Sequence, residues 1–481
     1  MSRSSILITT AAMALATPLF AHENGHKPEQ APWQQASSWP DRVIATIEGN
    51  PATSISVNWR TNASITATRA EIAKALPDAR FDLLARSVTA QSETVDPAAI
   101  QRAEVRIPVS HNQGLPAAAY HSARFDDLEP DTLYAYRVQG AEGKWSEWFQ
   151  TRTAPRQGPV KFIYLGDAQN GLDSHWPRVI RAAFQTAPDA RFILHAGDLV
   201  NRGSRDLEWA EWFRAGSFIH GMVPAIPVAG NHEYEALGLT EADQQRALSF
   251  LWRPQFRLPV DAALPPELHE TVYDIRYSAD LHVFVLDSNV ADTAAQARWL
   301  DEKLTASTAR WRIVTQHHPV FSSGRERDNA RMRDILLPVL LRHKVDLVLQ
   351  GHDHTYARGS IETLAQKPQR RAARDVRGLT TMFVNSVSGP KQYKFRENGW
   401  EDFTSAGVKL GRFAENTQFY QVISIEGGAL HYAAYTADGR LYDEVRISKG
   451  ADGAKTITPE RSGLPEPRRF SNTLPYPGAG D

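Results

Sequence analysis

The chain has 481 residues, of which 42% are hydrophobic and 23% charged, so it is long enough for two domains with separate cores. Its formal net charge of -1 argues against a protein that binds nucleic acid or a membrane surface through bulk electrostatics. The absence of cysteine excludes disulfides, thiolate metal sites and cysteine nucleophiles.

Residues 1–21 have the layout of a secretory signal peptide. Arg3 precedes an apolar run over residues 6–16, and the segment ends at Ala21 before a polar stretch. The apolar run is too short to span a bilayer, so we expect cleavage after Ala21 rather than an uncleaved anchor. The mature protein would then be exported, periplasmic or secreted, and free of the membrane. A polar linker over residues 22–34 follows.

Residues 35–153 have the pattern of an all-β domain. Short segments rich in branched and aromatic side chains predict strands at residues 42–47, 54–59, 119–125 and 133–138. Trp59 offers a large ring for the interior of a sandwich. No residue here requires a chemical explanation, so the expected role is structural, as a wall or lid beside the larger domain.

Residues 158–450 alternate apolar strands with helical stretches. Five apolar segments, at residues 162–165, 192–196, 225–229, 311–315 and 345–349, each run into polar residues of metal-ligand type. Those polar residues are, in chain order, Asp167, Asp198, Asn231, His317, and the pair His352 and His354. A single Gly-Asp is a routine strand ending, but ligands bind at the carboxyl ends of strands in α/β sheets, and this recurrence is specific.

Carboxylate, carboxamide and imidazole groups form a mixed oxygen and nitrogen site. Such a site suits zinc, manganese, iron or cobalt rather than calcium or a thiolate-preferring ion. One aspartate can bridge two cations about 3.5 Å apart, and such a pair lowers the pKa of a bound water to about 7 and clamps phosphoryl oxygens.

The ordered motifs resemble the calcineurin-like metallophosphoesterases. They are Gly166-Asp167, Gly197-Asp198, Gly230-Asn231-His232-Glu233, Val314-x-x-His317 and Gly351-His352-x-His354. With a fibronectin type III-like sandwich in front, the chain is most similar to the purple acid phosphatase group. The resemblance implies an α+β protein in which the sandwich precedes a four-layer α/β/β/α metallophosphoesterase domain.

The resemblance also implies a dinuclear metal centre of divalent or trivalent ions, with iron, zinc or manganese expected. Asp167, Asp198 and His354 would hold the first metal, while Asn231, His317 and His352 would hold the second. Asp198 would bridge the two. His232 would contact the phosphate and help the leaving oxygen depart, which requires a proton donor near working pH.

The chain departs from the family pattern at the first metal. Purple acid phosphatases place a tyrosine three residues after the bridging aspartate, where this chain has Asn201. Many other members place a histidine two residues after the first aspartate, where this chain has Gln169. The amide oxygen of Gln169 or of Asn201, or a water, could fill the gap. Without a tyrosinate, the purified protein is expected to lack the purple band.

Three further residues are candidates for substrate contact. They are His318, beside a predicted ligand, His175, in the loop beyond the first aspartate, and Lys391, which lies near Tyr393 after a strand. The alternatives are packing for His318 and a solvated loop for His175.

Two polar segments near the site have simpler expected roles. Asp353, between two predicted ligands, is expected to point to the sheet edge or to solvent. The basic stretch at residues 367–377 lacks interleaved aromatic residues, so a solvated loop is favoured over a nucleic-acid patch.

The C-terminal part returns to strands. Residues 419–425 and 429–435 predict a hairpin, which residues 442–448 would extend to complete the second sheet. Residues 451–481 are rich in glycine, proline and charge and are expected to form a partly disordered tail.

The expected function is hydrolysis of small phosphate esters by a metal-bound hydroxide, with monoesters favoured by the resemblance to acid phosphatases. The alternatives are a phosphodiesterase on the same site and a non-catalytic module that binds metal or phosphate. His232 together with a complete second-metal set favours catalysis. The metal pair and the oligomeric state stay open.

Overall fold

The computed structural model describes residues 31–100, 112–236, 246–290, 292–363 and 377–460. The predicted signal peptide, most of the basic stretch and the end of the expected tail lie outside these residues. Within the described ranges, no helix combines the length and the apolar character needed to cross a membrane.

The N-terminal domain is a sandwich of two antiparallel four-stranded sheets. The sheet orders are β1-β2-β6-β5 and β4-β3-β7-β8, with strands β1 (Asp41–Thr46), β2 (Ile55–Asn62), β3 (Arg69–Lys74), β4 (Arg86–Thr89), β5 (Gln91–Val95), β6 (Ala118–Phe125), β7 (Leu133–Val138) and β8 (Phe149–Arg152). A short helix, α1 (Pro97–Ile100), follows β5. Trp59 and Tyr136 are buried between the sheets, and the indole Nε1 of Trp59 donates to the carbonyl of Gln139 at 2.9 Å. The predicted all-β sandwich is confirmed.

The second domain contains two mixed sheets. Its strands are β9 (Val160–Leu165), β10 (Ile193–His195), β11 (Ala225–Pro227), β12 (Tyr234–Ala236), β13 (Arg246–Leu248), β14 (Tyr273–Arg276), β15 (Leu281–Val285), β16 (Trp311–Thr315), β17 (Leu347–Gln350), β18 (Tyr356–Thr363), β19 (Arg377–Asn385), β20 (Val408–Ala414), β21 (Phe419–Glu426), β22 (Ala429–Thr436), β23 (Leu441–Lys449) and β24 (Lys455–Pro459). Its helices are α2 (Pro177–Thr186), α3 (Asp206–Gly216), α4 (Phe218–Met222), α5 (Trp252–Gln255), α6 (Thr293–Ala306) and α7 (Ala330–Arg342).

The first sheet has the order β11-β10-β9-β21-β22-β23, and the second has the order β14-β15-β16-β17-β19-β18-β20. Strands β9, β10 and β11 are parallel, as are β15, β16, β17 and β19. Strand β24 pairs with both β23 and β19 and so joins the two sheets. The carboxyl ends of the parallel strands carry the predicted ligands.

Alternate residues of β17 show how the layers stack. Leu347 and Leu349 pack in the core that contains the first sheet, whereas Val348 packs with Leu300 of α6 and Leu340 of α7. Since successive side chains of a strand point to opposite faces, the second sheet lies between the first sheet and these helices. Helix α2 packs against β21 on the other side. The predicted four-layer α/β/β/α architecture is confirmed.

The segment after residue 450, which the sequence analysis gives as a partly disordered tail, contains the strand β24. Ile457 is fully buried there, and the ammonium group of Lys455 lies 3.0 Å from the buried carboxylate of Asp346. Alternate side chains of this segment point into the core, so it forms a strand despite its polar composition.

A buried ion cluster connects the two domains. The carboxylate of Asp206, at the start of α3, lies 2.8 Å from the guanidinium of Arg42 and 3.6 Å from that of Arg60. Burial opposes ionisation of Asp206, but the two arginines hold the pKa of its carboxyl below the ordinary value. Strand β1 also pairs in parallel with β11, at Thr46 and Ala225. The N-terminal domain is thus fixed on the second domain by charges removed from water.

Replacing the buried carboxylate should destabilise the whole chain. The substitution Asp206→Asn leaves the buried guanidinium of Arg42 without an anion, whereas Arg60 keeps Asp41 at 2.8 Å. We therefore expect a loss of about 3–5 kcal/mol in the free energy of unfolding, measured with urea. Because the pKa of Asp206 is depressed in the folded state, this stabilisation is present above about pH 4 and is lost as the pH falls below it.

The control is Asp189→Asn, which removes an exposed partner of Lys161 and should leave stability near the wild-type value. Equal effects of the two substitutions would contradict a special role for the buried cluster.

Candidate metal centre

The ends of five strands bring the predicted ligands together from both sheets. Ligand atoms of Asp198, His317 and His352 lie within 4.8 Å of one another, as do those of Asp167, Asp198 and His354. Asp198 belongs to both groups. The structure therefore contains two adjacent sets of donors that share one carboxylate.

Asn231 completes the second set. Its Oδ1 lies 2.9 Å from Nδ1 of His352 and 3.1 Å from Nε2 of His317. A carboxamide oxygen is uncharged, so it adds a donor without adding to the negative charge of the site. The structure thus brings together all six residues that the resemblance assigns to metal binding.

The glycines before Asp198, Asn231 and His352 each provide space for a ligand from another strand. A Cβ on Gly197 would lie 2.4 Å from Nδ1 of His317, and one on Gly351 would lie 2.2 Å from Oδ1 of Asp167. A Cβ on Gly230 would lie 2.2 Å from Oδ1 of Asp198. Real Cβ atoms do not approach so closely, so the motif glycines are required by packing across the centre.

The backbone turns at the ligands. Asp198, His352 and His354 have φ values of 50°, 76° and 45°, in the left-handed region. After β17 the left-handed residue is His352 rather than the glycine before it. With these dihedrals, the side chains of Asp198, His352 and His354 all point toward the candidate centre.

Main-chain carbonyls orient two of the histidine rings. Nδ1 of His317 donates to the carbonyl of Ala196 at 2.8 Å, and Nδ1 of His354 donates to the carbonyl of Lys391 at 2.9 Å. Because a carbonyl only accepts, Nε2 of each ring faces the centre. His352 is turned the other way, with Nδ1 toward the centre and Nε2 2.8 Å from Nη1 of Arg327.

Glu233 connects two ligand-bearing loops. Its buried carboxylate accepts from the backbone N–H groups of Asp198 at 2.9 Å and Gly230 at 2.7 Å. Glu233 is the last residue of the Gly230-Asn231-His232-Glu233 motif, and these two bonds show its role. Its position three residues after Gly230 is the only sequence signal for that role.

The site concentrates buried negative charge. Burial, followed by the nearby charge of Asp198, raises the pKa of the Asp167 carboxyl and of the Glu233 carboxyl. Burial also opposes ionisation of Asp198, but His317 and His232 hold the pKa of that carboxyl well below its usual range. Oδ2 of Asp167 is buried and has no hydrogen-bond partner among the described residues. An oxygen-rich, nitrogen-containing donor set with an unpartnered carboxylate oxygen fits a pair of cations.

Gln169 lies where the first metal would need a further donor. Its Nε2 is 3.1 Å from Oδ2 of Asp198 and 2.8 Å from Nε2 of His354. Its Oε1 is buried without a hydrogen-bond partner within the described chain, and rotation of the amide exchanges the two atoms. Asn201 uses its main chain instead, since its carbonyl accepts from Nδ1 of His232 at 2.6 Å.

His232 is held beside the bridging carboxylate. Its backbone N–H donates to Oδ1 of Asp198 at 2.9 Å, and its Nε2 lies 3.9 Å from Oδ2 of the same residue. The bond from Nδ1 to the carbonyl of Asn201 fixes the ring, so Nε2 faces the centre. The side chain is 27% exposed, which leaves it accessible to a substrate.

The substrate-contact candidates occupy different positions. Lys391 lies beside the centre, where burial and then the charge of Lys391 lower the pKa of His354. His318 packs against His352 with ring centroids 4.0 Å apart and ring planes tilted by 46°. It also hydrogen-bonds Ser288 and borders a cavity of about 350 Å³. His175 is exposed, with Nδ1 2.9 Å from Oγ of Ser174, which agrees with the solvated-loop alternative.

Two findings differ from the sequence analysis. Asp353 is fully buried, and its Oδ2 accepts from the backbone N–H groups of Ser323 at 2.5 Å and Gly324 at 3.0 Å. The expected solvent orientation is therefore wrong, because two amides of the loop after β16 need an acceptor.

Arg327, which lies beside His352, is a residue of the site that the sequence did not indicate. It stands in a polar loop without a periodic pattern, so no sequence signal marks it.

Comparison with known proteins agrees with this geometry. The family described as Calcineurin-like phosphoesterase matches residues 160–356, and the one described as Purple acid Phosphatase, N-terminal domain, matches residues 40–153. The chain joins a calcineurin-like phosphoesterase domain to a purple acid phosphatase N-terminal domain. The predicted ligands up to His354 all lie within the phosphoesterase match.

Curated proteins similar to this chain include purple acid phosphatases and a phosphoenolpyruvate phosphatase. Purple acid phosphatase 1 of Ipomoea batatas is 29% identical over 256 residues, which cover 50% of this chain and 52% of the relative. Fe(3+)-Zn(2+) purple acid phosphatase 12 of Arabidopsis thaliana is 28% identical, with 50% and 52% covered. Phosphoenolpyruvate phosphatase of Allium cepa is 29% identical, with 50% of each chain covered. The chain spans about half the length of these curated relatives.

Solved structures share the two-domain fold. Purple acid phosphatase PPD1 from seeds of yellow lupin (Lupinus luteus) aligns with a TM-score of 0.67 at 16% identity, covering 86% of this chain and 75% of that chain. The structure of PhoD aligns with a TM-score of 0.59 at 13% identity, covering 90% and 95%. At these identities the likeness concerns the fold.

Truncating each amide should distinguish the two candidates for the missing donor. We expect Gln169→Ala to weaken binding of one of two metal ions about tenfold, because it removes the amide beside Asp198 and His354. Asn201→Ala keeps the main-chain carbonyl that orients His232 and should leave both affinities unchanged. Calorimetric metal titration, checked by metal analysis, measures both. The reverse pattern would assign the donor to Asn201.

Proposed function

We propose that this protein is a metal-dependent phosphoric ester hydrolase that cleaves small phosphate monoesters. The observation that carries the proposal is the pair of ligand groups that share Asp198, with atoms within 4.8 Å of one another, beside the partly exposed His232. The names of the curated relatives, all phosphatases, support the same reaction class.

In this proposal Asp167, Asp198 and His354 hold one cation, and Asn231, His317 and His352 hold the other. Gln169 supplies the further oxygen to the first, and Asn201 remains the alternative. Two such cations, when bound, lower the pKa of water and neutralise phosphoryl oxygens. Iron, zinc or manganese suits the donors, and one relative is named for Fe(3+) and Zn(2+). Asn201 offers no tyrosinate, so a purple band is not expected.

His232 donates a proton to the leaving group. The carbonyl of Asn201 accepts from Nδ1 and leaves Nε2 facing the centre, where it can hydrogen-bond the ester. Hydrolysis adds water to phosphorus and breaks the P–O ester bond, so the departing oxygen must gain a proton. A protonated Nε2 supplies it at the atom where charge develops.

The charge at the mouth of the site favours monoesters over diesters. Lys391 and Arg327 both lie beside histidines of the centre. A monoester carries about two negative charges near neutral pH and a diester one, so positive groups stabilise bound monoesters more. Phosphodiester hydrolysis at the same site is the second candidate, and a non-catalytic binding module is the third.

The place of action is part of the proposal. The apolar run over residues 6–16 and the small residue Ala21 support export, to the periplasm or outside the cell. Small phosphorylated compounds are the expected partners.

Hydrolysis of chromogenic esters tests the reaction class. We expect protein purified without chelator to cleave an aryl phosphate faster than the corresponding bis-aryl diester. Chelation should remove the activity, and zinc, manganese or iron should restore it. Faster turnover of the diester would favour the second candidate. Metal binding without turnover of either ester would favour the third candidate, a non-catalytic module that binds metal or phosphate.

The role of His232 predicts a defect in turnover. We expect His232→Ala to lower kcat for the aryl phosphate about 100-fold, because a positioned proton donor contributes roughly that factor. His175→Ala, which changes an exposed histidine, should leave kcat unchanged. Metal content should stay the same in both variants. An unchanged kcat in His232→Ala would remove His232 from the mechanism.

A further inference from the structure

Two cationic side chains pack on one aromatic ring at the mouth of the centre. The guanidinium carbon of Arg327 lies 4.6 Å from the ring centroid of Tyr393, and the ammonium nitrogen of Lys391 lies 5.5 Å from it. The Tyr393 ring in turn lies 4.6 Å from that of His354. Cation–π attraction restricts where both charges can move, so Tyr393 acts as a platform for them.

The two cations lie beside different ligand sets. Nη1 of Arg327 is 2.8 Å from Nε2 of His352, which belongs to the second set. The backbone carbonyl of Lys391 accepts from Nδ1 of His354, which belongs to the first set. The ammonium group of Lys391 packs on the Tyr393 ring that contacts His354, so positive charge lies near both sets.

Protein anions compensate this charge only weakly. Oδ1 of Asp353 is 3.8 Å from Nη1 of Arg327, while Oδ2 of Asp353 accepts two backbone N–H groups. Lys391 makes no ion pair among the residues that the structure describes. The Arg327 side chain is 35% exposed, so an incoming anion can reach it without full desolvation of the guanidinium.

The transferred phosphoryl group has its own contacts in the proposed function, namely the two cations and His232. Arg327 and Lys391 add electrostatic attraction for that group from the rim but are not among its contacts, so their own hydrogen-bonding groups are available to another anion. A forked guanidinium on a flat platform suits a planar carboxylate or a phosphate oxygen pair.

We propose that Arg327, with Lys391 across Tyr393, binds a second anionic group on the substrate. The substrate class is then a phosphate monoester whose organic part carries a carboxylate or a second phosphate close to the ester. This inference rests on the proposed function and makes Arg327 a specificity-determining residue.

Binding of phosphonates to the metal-loaded protein tests the proposal without turnover. Phosphonoacetate and phosphonoacetamide have nearly the same shape, but only the first has a carboxylate. We expect phosphonoacetate to bind about tenfold more tightly, the factor for one charge-assisted hydrogen bond, measured by calorimetry. Methylenediphosphonate carries a second phosphonate in place of the carboxylate. Tighter binding of methylenediphosphonate than of phosphonoacetate would identify a second phosphate as the group that the substrate presents to Arg327.

Two arginines of the same loop provide a matched pair of variants. Arg327→Gln should abolish the preference for phosphonoacetate and leave binding of phosphonoacetamide nearly unchanged. Arg325→Gln, which removes a guanidinium paired with Glu397 at 3.0 Å, should retain the preference. Lys391→Gln should reduce it in part.

Several outcomes would overturn the proposal. One is that the wild type binds phosphonoacetate and phosphonoacetamide equally. Another is that the preference for phosphonoacetate persists in both Arg327→Gln and Lys391→Gln. Metal loss in Arg327→Gln would show that Arg327 positions His352, and Lys391→Gln would then decide whether the rim binds the anion. A wild type that prefers phosphonoacetate but cleaves no phosphate ester would refute the proposed function and leave the anion site standing.

Discussion

The candidate centre depends on the absence of side chains at four glycines. A Cβ on Gly197, Gly230 or Gly351 would meet a ligand from a different strand, and one on Gly166 would lie 1.9 Å from the carbonyl of Ser386. The contacts at Gly166, Gly197 and Gly351 cross between the two sheets, whereas the contact at Gly230 joins neighbouring loops of the first sheet. Asp198, Asn231 and His352 therefore approach the other ligands only because the residue before each has no Cβ. The Gly-ligand dipeptides are therefore a packing requirement of the assembled centre as well as chain turns.

This constraint explains why the centre could be predicted from sequence. Each predicted ligand stands within a few residues of an apolar strand, and parallel strands bring their carboxyl ends to one edge. The ends meet because β9, β10 and β11 are neighbours in one sheet and β16 and β17 are neighbours in the other. The fold class was expected from the family resemblance that these motifs carry.

Elements without a hydrophobic pattern could not be predicted. Strands β4 and β5 are mostly exposed, and their sequences show no apolar alternation. Strand β24 lies in a segment that its glycine, proline and charged residues predict to be partly disordered. The single buried apolar residue of the strand, Ile457, gives no pattern against that prediction. Neighbouring strands impose these elements through backbone pairing, which leaves little trace in side-chain composition.

The same distinction applies within the site. Gln169 and Asp353 gain their environments from residues far along the chain, respectively His354 and the backbone of Ser323. Arg327 approaches His352 from a loop of charged residues in which it resembles its neighbours. Sequence spacing identifies groups attached to strand ends, but it contains no information on which loop folds back over them.

The left-handed backbone at Asp198, His352 and His354 has an evolutionary consequence. Each such residue costs about 1–3 kcal/mol relative to a relaxed conformation, whereas glycine adopts it freely. A lineage released from selection for the chemistry would gain stability by drifting to glycine at these three positions while its sheets stayed intact. Ligand-to-glycine replacements there are thus the expected mark of a descendant that has kept the scaffold and abandoned catalysis.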